Sequence, residues 1–138
     1  MTMLRLSQLI VQRSKQPFQW GSSDCAMWAF DCVRDMTGRD PAPDLRGAYS
    51  TAREAMRLLR AEGGWAAVCA ARIGPSVPLA DVLDGDVVLI DASTCRDEMA
   101  DVGALGVMWR TWAVAQGASG LVQVPASAVL AAWRPRHG

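Results

Sequence analysis

Phe18-Gln19-Trp20-Gly21-Ser22-Ser23-Asp24-Cys25 is the stretch that decides how this chain is read. Gly21, Ser22 and Ser23 are a turn signal, and the apolar residues that follow recur with helical spacing, so Cys25 falls in the first turn of a helix. At about 100° per residue, Cys25, Trp28, Ala29, Cys32 and Met36 share one face and Asp24, Asp31 and Asp35 another. Asp24 or Ser23 supplies the N-cap, and Gly38 provides a left-handed exit. A thiol at a helix N-terminus meets unpaired backbone N–H groups and the positive end of the dipole, which favours thiolate. A plainer reading stands beside that one, because cysteine is among the most buried residue types and Cys25 heads an apolar stripe. Asp24 reads as a cap rather than an acid, since a carboxylate there satisfies backbone donors but raises the pKa of a neighbouring thiol. Nucleophilic cysteines usually work with a histidine, and the one histidine of the chain is His137, a residue from the C-terminus.

Outward from this segment the first half is helical. Leu4, Leu6, Leu9, Ile10 and Arg13 make a short amphipathic helix that must end before Pro17. Residues 50–62 form another, with Thr51 and Glu54 in capping-box spacing, Ala52, Ala55, Met56 and Leu59 inward, and Gly63-Gly64 as the stop. Residues 65–73 suit a shorter helix, and the proline patches at 41–43 and 75–78 read as loops. After Pro78 the period changes: residues 86–91, 104–110, 111–115 and 121–124 are short β-type runs, with 132–134 as a possible last strand. Helices followed by a meander predict an α+β fold, with N-terminal helices packed on one face of a small antiparallel sheet or partial barrel. Residues 1–138 are the length of one domain, without repeats or linkers.

Composition narrows the function classes. Fourteen basic residues balance fourteen acidic ones, which removes any overall drive towards nucleic acid or an anionic membrane. Arg5, Gln8, Gln12 and Arg13 interrupt the N-terminus before it reaches signal-peptide length, and no later run approaches a membrane span. Synthesis in the cytoplasm without export by the usual signal is therefore expected. Cys25, Cys32, Cys69 and Cys95 contain no C-x-x-C pair, and Cys25 and Cys32 lie roughly 10 Å apart along a helix. Neither a zinc site nor a disulfide framework is indicated, and no metal or other cofactor is expected. Asp91, Asp97, Glu98 and Asp101 lack the spacing and central glycine of a calcium loop and read as a solvated loop. Most of the six tryptophans are expected in the core, but Trp109 and Trp112 bracket Arg110-Thr111 at a hairpin tip. Exposed indole and guanidinium groups there would suit a protein partner.

Taken together, Phe18-Gln19-Trp20-Gly21 with Asp24-Cys25, Gly85-Asp86-Val87-Val88-Leu89-Ile90, and Leu105-Gly106-Val107 resemble the NlpC-type branch of papain-like cysteine peptidases over most of the chain. Trp20-Gly21, Asp24-Cys25, Asp40-Pro41, Arg46-Gly47-Ala48-Tyr49 and Ala132-Trp133-Arg134 resemble a small phage-associated member of that branch, encoded among tail-tip genes. The resemblance implies a papain-like fold with Cys25 at the position of the nucleophile, for cutting peptide bonds in murein. It also implies Phe18, Trp20 and Ala104 as site lining. Ala104 occupies the position of the family's basic histidine, ahead of Leu105-Gly106-Val107. Ala26-Met27 replaces the usual Ser-Gly after the nucleophile, and Phe18 lacks the hydroxyl of the tyrosine that often opens the Trp-Gly motif. Loss of a general base removes on the order of a hundredfold to ten-thousandfold in rate.

Two functions of different classes follow. One is a structural or docking component of a phage-type tail tip or baseplate hub, built on a degenerate papain-like hydrolase domain. Its partners would be other tail-tip and hub proteins, and its location the virion. The other is an active murein endopeptidase or amidase that uses Cys25 on peptidoglycan stem peptides and assists cell-wall penetration.

Overall fold

The computed structural model describes residues 2–91 and 103–136. Cys95, Asp97, Glu98, Asp101 and His137 lie outside the described residues. The described chain has four helices, α1 (Thr2–Arg13), α2 (Cys25–Thr37), α3 (Ala52–Ala61) and α4 (Trp65–Arg72). Six strands accompany them: β1 (Ser76–Val77), β2 (Val87–Ile90), β3 (Ala104–Trp109), β4 (Trp112–Gln116), β5 (Leu121–Pro125) and β6 (Val129–Trp133). The strands form one antiparallel sheet in the order β1-β6-β2-β3-β4-β5. β1 and β5 are its two edges, so the fold is α+β with an open sheet that is not closed into a barrel.

α2 is the central helix because its sequence has little that demands water. Ten of its thirteen residues are buried, which requires cover on almost every side: β3 and β4 beneath it and α1 alongside. The Trp28 indole, fully buried, donates to the Val114 carbonyl at 2.9 Å and pins the helix to β4. Deleting a buried side chain of that size costs about 3–5 kcal/mol.

The reverse side of the sheet is apolar as well. Strand alternation turns Val88, Ile90, Met108, Ala113, Ala115 and Ala132 away from the helices, where they join Val129 in a second core. Residues from both ends of the sheet, Val77 and Val124, pack against it together with Val82 and Ala128. The sheet is therefore buried on both faces over its middle, which is why β2 reads as an unbroken apolar run rather than an alternating one.

Two sequence expectations change. The proline patch at 75–78 is not all loop, since Ser76 and Val77 pair with Trp133 and Ala132 between two prolines that favour extended backbone. The last strand begins at Val129 instead of 132: Leu89 pairs with Ala131 and Ile90 with Val129, so Leu130 is an extra, bulged residue. That bulge breaks the two-residue period by which the strand would have been legible.

Candidate functional site

Cys25 is the first residue of α2, and the turn before it is built around Asp24. One Asp24 oxygen accepts the Met27 N–H at 2.9 Å, the N-cap bond that the sequence predicts. The other accepts the Gly21 N–H at 2.8 Å and the Tyr49 hydroxyl at 2.6 Å. Asp24 is 1% exposed, so this carboxylate is held out of water by three donors. Gly21 adopts a φ of 84°, and a Cβ there would lie 2.3 Å from the Tyr49 carbonyl, so only glycine permits this approach. Burial, followed by the Asp24 charge and its hydrogen bond, raises the Tyr49 pKa far above the usual phenol range. The phenol stays neutral and its proton stays directed at Asp24.

The loop that carries Tyr49 is fixed by a second aspartate of α2. Asp31, buried on what the helical period marks as a polar face, receives Arg13, Arg34 and Arg46. Arg46 also grips Asp40 through Nε at 2.9 Å and Nη2 at 3.2 Å, and those bonds hold the Asp40 carboxyl below its ordinary range. Gly47 N–H then donates to the Gly21 carbonyl at 3.0 Å. Asp40, Arg46, Gly47 and Tyr49 are thus parts of one clamp that ties residues 40–49 to the start and middle of α2.

The Cys25 side chain borders a cavity of about 40 Å³ together with Trp20, Asp24, Tyr49, Leu59 and Trp65. At roughly 10–15 Å³ per water-sized group the space admits only a few. α3 and α4 roof it, and Cys25 is 8% exposed. Arg72 at the end of α4 fastens that roof. Its guanidinium binds Glu62 just after α3, Asp44 at 2.8 and 2.9 Å, and the Pro41 carbonyl at 3.3 Å. Asp44 is held down at about 2 by this guanidinium.

The remaining predicted site residues divide. Trp20 lines the cavity, but Phe18 is not among its lining residues and packs edge-on against Trp20, with ring centroids 4.7 Å apart. Ala104 opens β3 opposite Ile90 and packs, half-buried, against the core on the helix side. The carbonyl just before it, on Gly103, accepts the Trp65 indole N–H at 3.2 Å. Trp65, which the sequence marks only as the start of a short helix, therefore stands between the Cys25 cavity and the start of β3. Trp109, Arg110 and Trp112 lie at the far end of the same hairpin, apart from the cavity. Arg110 sits at φ 61° in the two-residue turn, donates its backbone N–H to Asp84 at 2.7 Å, and places its guanidinium 5.4 Å from the Trp109 ring centre. Trp112 is 40% exposed.

Residues 3–135 match the family described as a domain of unknown function, DUF6950. The chain belongs to this DUF6950 family. A search of curated proteins finds no match. Every residue of the clamp and the cavity falls within the matched span of the DUF6950 domain.

Chemically, the DUF6950 site offers a thiol at a helix start but commits its neighbours elsewhere. Acyl transfer needs a nucleophile, a base and donors for the oxyanion. Asp24 already takes three donors, Tyr49 holds its proton towards Asp24, and the Met27 N–H is spent on the cap. No group of three or more His, Cys, Asp or Glu side chains among the described residues is arranged to hold a metal ion. No described helix is long and apolar enough to cross a membrane.

Proposed function

We propose that this protein is a structural or docking component of a phage-type tail tip or baseplate hub, built on a papain-like scaffold that has lost its catalytic apparatus. The tail-tip assignment rests on the resemblance carried by Trp20-Gly21, Asp24-Cys25, Asp40-Pro41, Arg46-Gly47-Ala48-Tyr49 and Ala132-Trp133-Arg134. The geometry adds a reason for those residues that requires no turnover. Arg46 binds Asp40 and Tyr49 binds Asp24, so these motif residues pair with one another as struts, and Arg134 binds Asp86 of the Gly85–Ile90 stretch at 2.9 Å.

The observation that carries the loss of catalysis is the enclosure of Cys25. The thiol is roofed by α3 and α4 in a cavity too small for a peptide, and alanine stands at the family's histidine position. The hairpin tip supplies a partner surface, with Trp112 exposed and Arg110 held in place by Asp84.

The test joins two assays. Purified protein incubated with murein sacculi is expected to release no peptide or glycan fragments above a Cys25→Ala control. Cys25→Ala is also expected to assemble into tail tips as the wild type does, whereas the double variant Arg110→Ala/Trp112→Ala is expected to assemble poorly. Cys25-dependent murein release would overturn the reading in favour of an active endopeptidase or amidase.

A further inference from the structure

The cavity at Cys25 shares a wall with a second space. A wider surface groove of about 580 Å³ is lined by Met56, Arg60, Gly63, Gly64 and Leu89, among others, and also by Leu59 and Trp65. Leu59 and Trp65 border both spaces, so these two residues stand in the wall between them.

The two ends of α4 are held very differently. Its C-terminal end carries Arg72, with its ion pairs to Glu62 and Asp44 and its bond to the Pro41 carbonyl. At its N-terminal end the N-cap is Gly64, which has no side chain to cap with, and the turn is tied to the end of α3 by backbone bonds, from Gly64 N–H to the Leu59 carbonyl at 2.9 Å and from Gly63 N–H to the Arg60 carbonyl at 3.1 Å. Gly63 and Gly64 have φ of 95° and 94°, a conformation that glycine enters and leaves at little steric expense. The hydrogen bond from the Trp65 side chain goes to the Gly103 carbonyl at 3.2 Å, the long end of the range for an N–H donor. Local opening starts where fewest interactions must break, and the first turn of α4 lacks the side-chain ion pairs that hold its last turn.

We propose that Trp65 is a gate. Release of its indole from Gly103, with the first turn of α4 pivoting at Gly63-Gly64 while Arg72 holds the last turn, merges the groove and the cavity into one passage ending at Cys25. This local opening admits small uncharged molecules to the thiol without unfolding the domain. It leaves the proposed function standing, because a passage for small molecules neither admits a peptide nor supplies a base at position 104.

Three cysteines on known elements distinguish the possible motions. Cys32 is fully buried in the middle of α2, and Cys69 is fully buried in α4. Native protein is treated with iodoacetamide at pH 8 and sampled over time, and each cysteine peptide is quantified by mass spectrometry. The gate predicts that Cys25 is alkylated well ahead of both Cys69 and Cys32. Trp65→Phe keeps the bulk and removes the indole N–H, so it should speed Cys25 alkylation by about three- to tenfold, the worth of one hydrogen bond, and leave the other two unchanged.

Equal rates at Cys25 and Cys69 with Cys32 protected would overturn the gate in favour of α4 lifting as a body. Equal rates at all three would overturn it in favour of global unfolding, and lack of reaction at Cys25 would overturn it outright. Cys25 is 8% exposed and the other two are fully buried, so the wild-type order tests the motion and Trp65→Phe tests the gate: an unchanged Cys25 rate in that variant, or in Trp65→Leu if Trp65→Phe folds poorly, would overturn it. Murein release is read in a separate assay, so failure of the gate and failure of the proposed function are distinguishable.

Discussion

The Tyr49 hydroxyl donates a 2.6 Å hydrogen bond to the Asp24 carboxylate, which joins the end of the 40–49 loop to the residue that starts α2, immediately before Cys25. Both residues are buried, so the bond is neither screened by salt nor replaced by water. Tyr49→Phe is expected to lower stability by about 1.5–3 kcal/mol, the range for a hydrogen bond to a charged group. Urea denaturation of the two proteins measures it. A change within a few tenths of a kcal/mol would show that the bond contributes nothing net.

Gly21→Ala should be worse than its size suggests. The left-handed backbone and the 2.3 Å approach to the Tyr49 carbonyl act together, so the added methyl must displace the loop. A loss of about 1–3 kcal/mol is expected, with faster alkylation of Cys25 as the turn before it loosens. Unchanged thermal unfolding would contradict that close packing.

Asp31 is the larger structural stake. Its side chain receives Arg13, Arg34 and Arg46 while almost wholly buried, so Asp31→Ala leaves three guanidinium groups near one another without their shared counter-charge. Removing one side of a buried ion pair typically costs about 3–5 kcal/mol. Equal stability of Asp31→Ala and wild type in urea would refute the role given to this aspartate.

Alkaline pH should destabilise the fold before any backbone chemistry begins. Burial pushes the Cys69 thiol up to about 12 and the Cys32 thiol well above its ordinary value. In the unfolded chain both thiols titrate near 8.5, so above that pH the unfolded state binds fewer protons than the folded one. The stability from keeping the thiols neutral is complete below about pH 8.5 and is lost progressively as pH rises, for Cys69 up to about pH 12, with a slope of up to about 1.4 kcal/mol per pH unit for each thiol. Urea midpoints at pH 7, 9 and 10 would follow it, and Cys69→Ala should flatten the decline. A rise in stability over that interval would sink the assignment.

Local chemistry made several elements legible. Asp24 caps α2, Thr51 and Glu54 meet at the start of α3 with Glu54 reaching back to the Ser50 N–H, and the Arg110-Thr111 turn joins β3 to β4. These depend on residues a few positions apart, which is the range at which caps and turns act. Leu130 could not be read as a bulge, because nothing next to it in the chain records that Ala131 and Val129 pair with adjacent residues of β2.

The candidate site shows the same division. Cys25 and Asp24 were legible as the head of a helix, and Trp20 was legible as lining. Phe18 packs edge-on against Trp20 and is not among the residues that line the cavity. Trp65 was legible only as the start of a short helix, since its place beside the cavity comes from reaching Gly103, thirty-eight residues away.

By itself the sequence determined the α+β class, the helix headed by Cys25 with its Asp24 cap, the hairpin at Arg110-Thr111, and the presence of alanine at position 104. Each of these is set by side-chain identity and short-range periodicity. Only the tertiary structure decided that Asp31 is buried among arginines, that Tyr49 is bound to Asp24, and that α3 and α4 close over the thiol. Those facts depend on which distant segments must meet to remove apolar surface from water, and a helical period marks a polar face without saying whether water or an arginine will satisfy it.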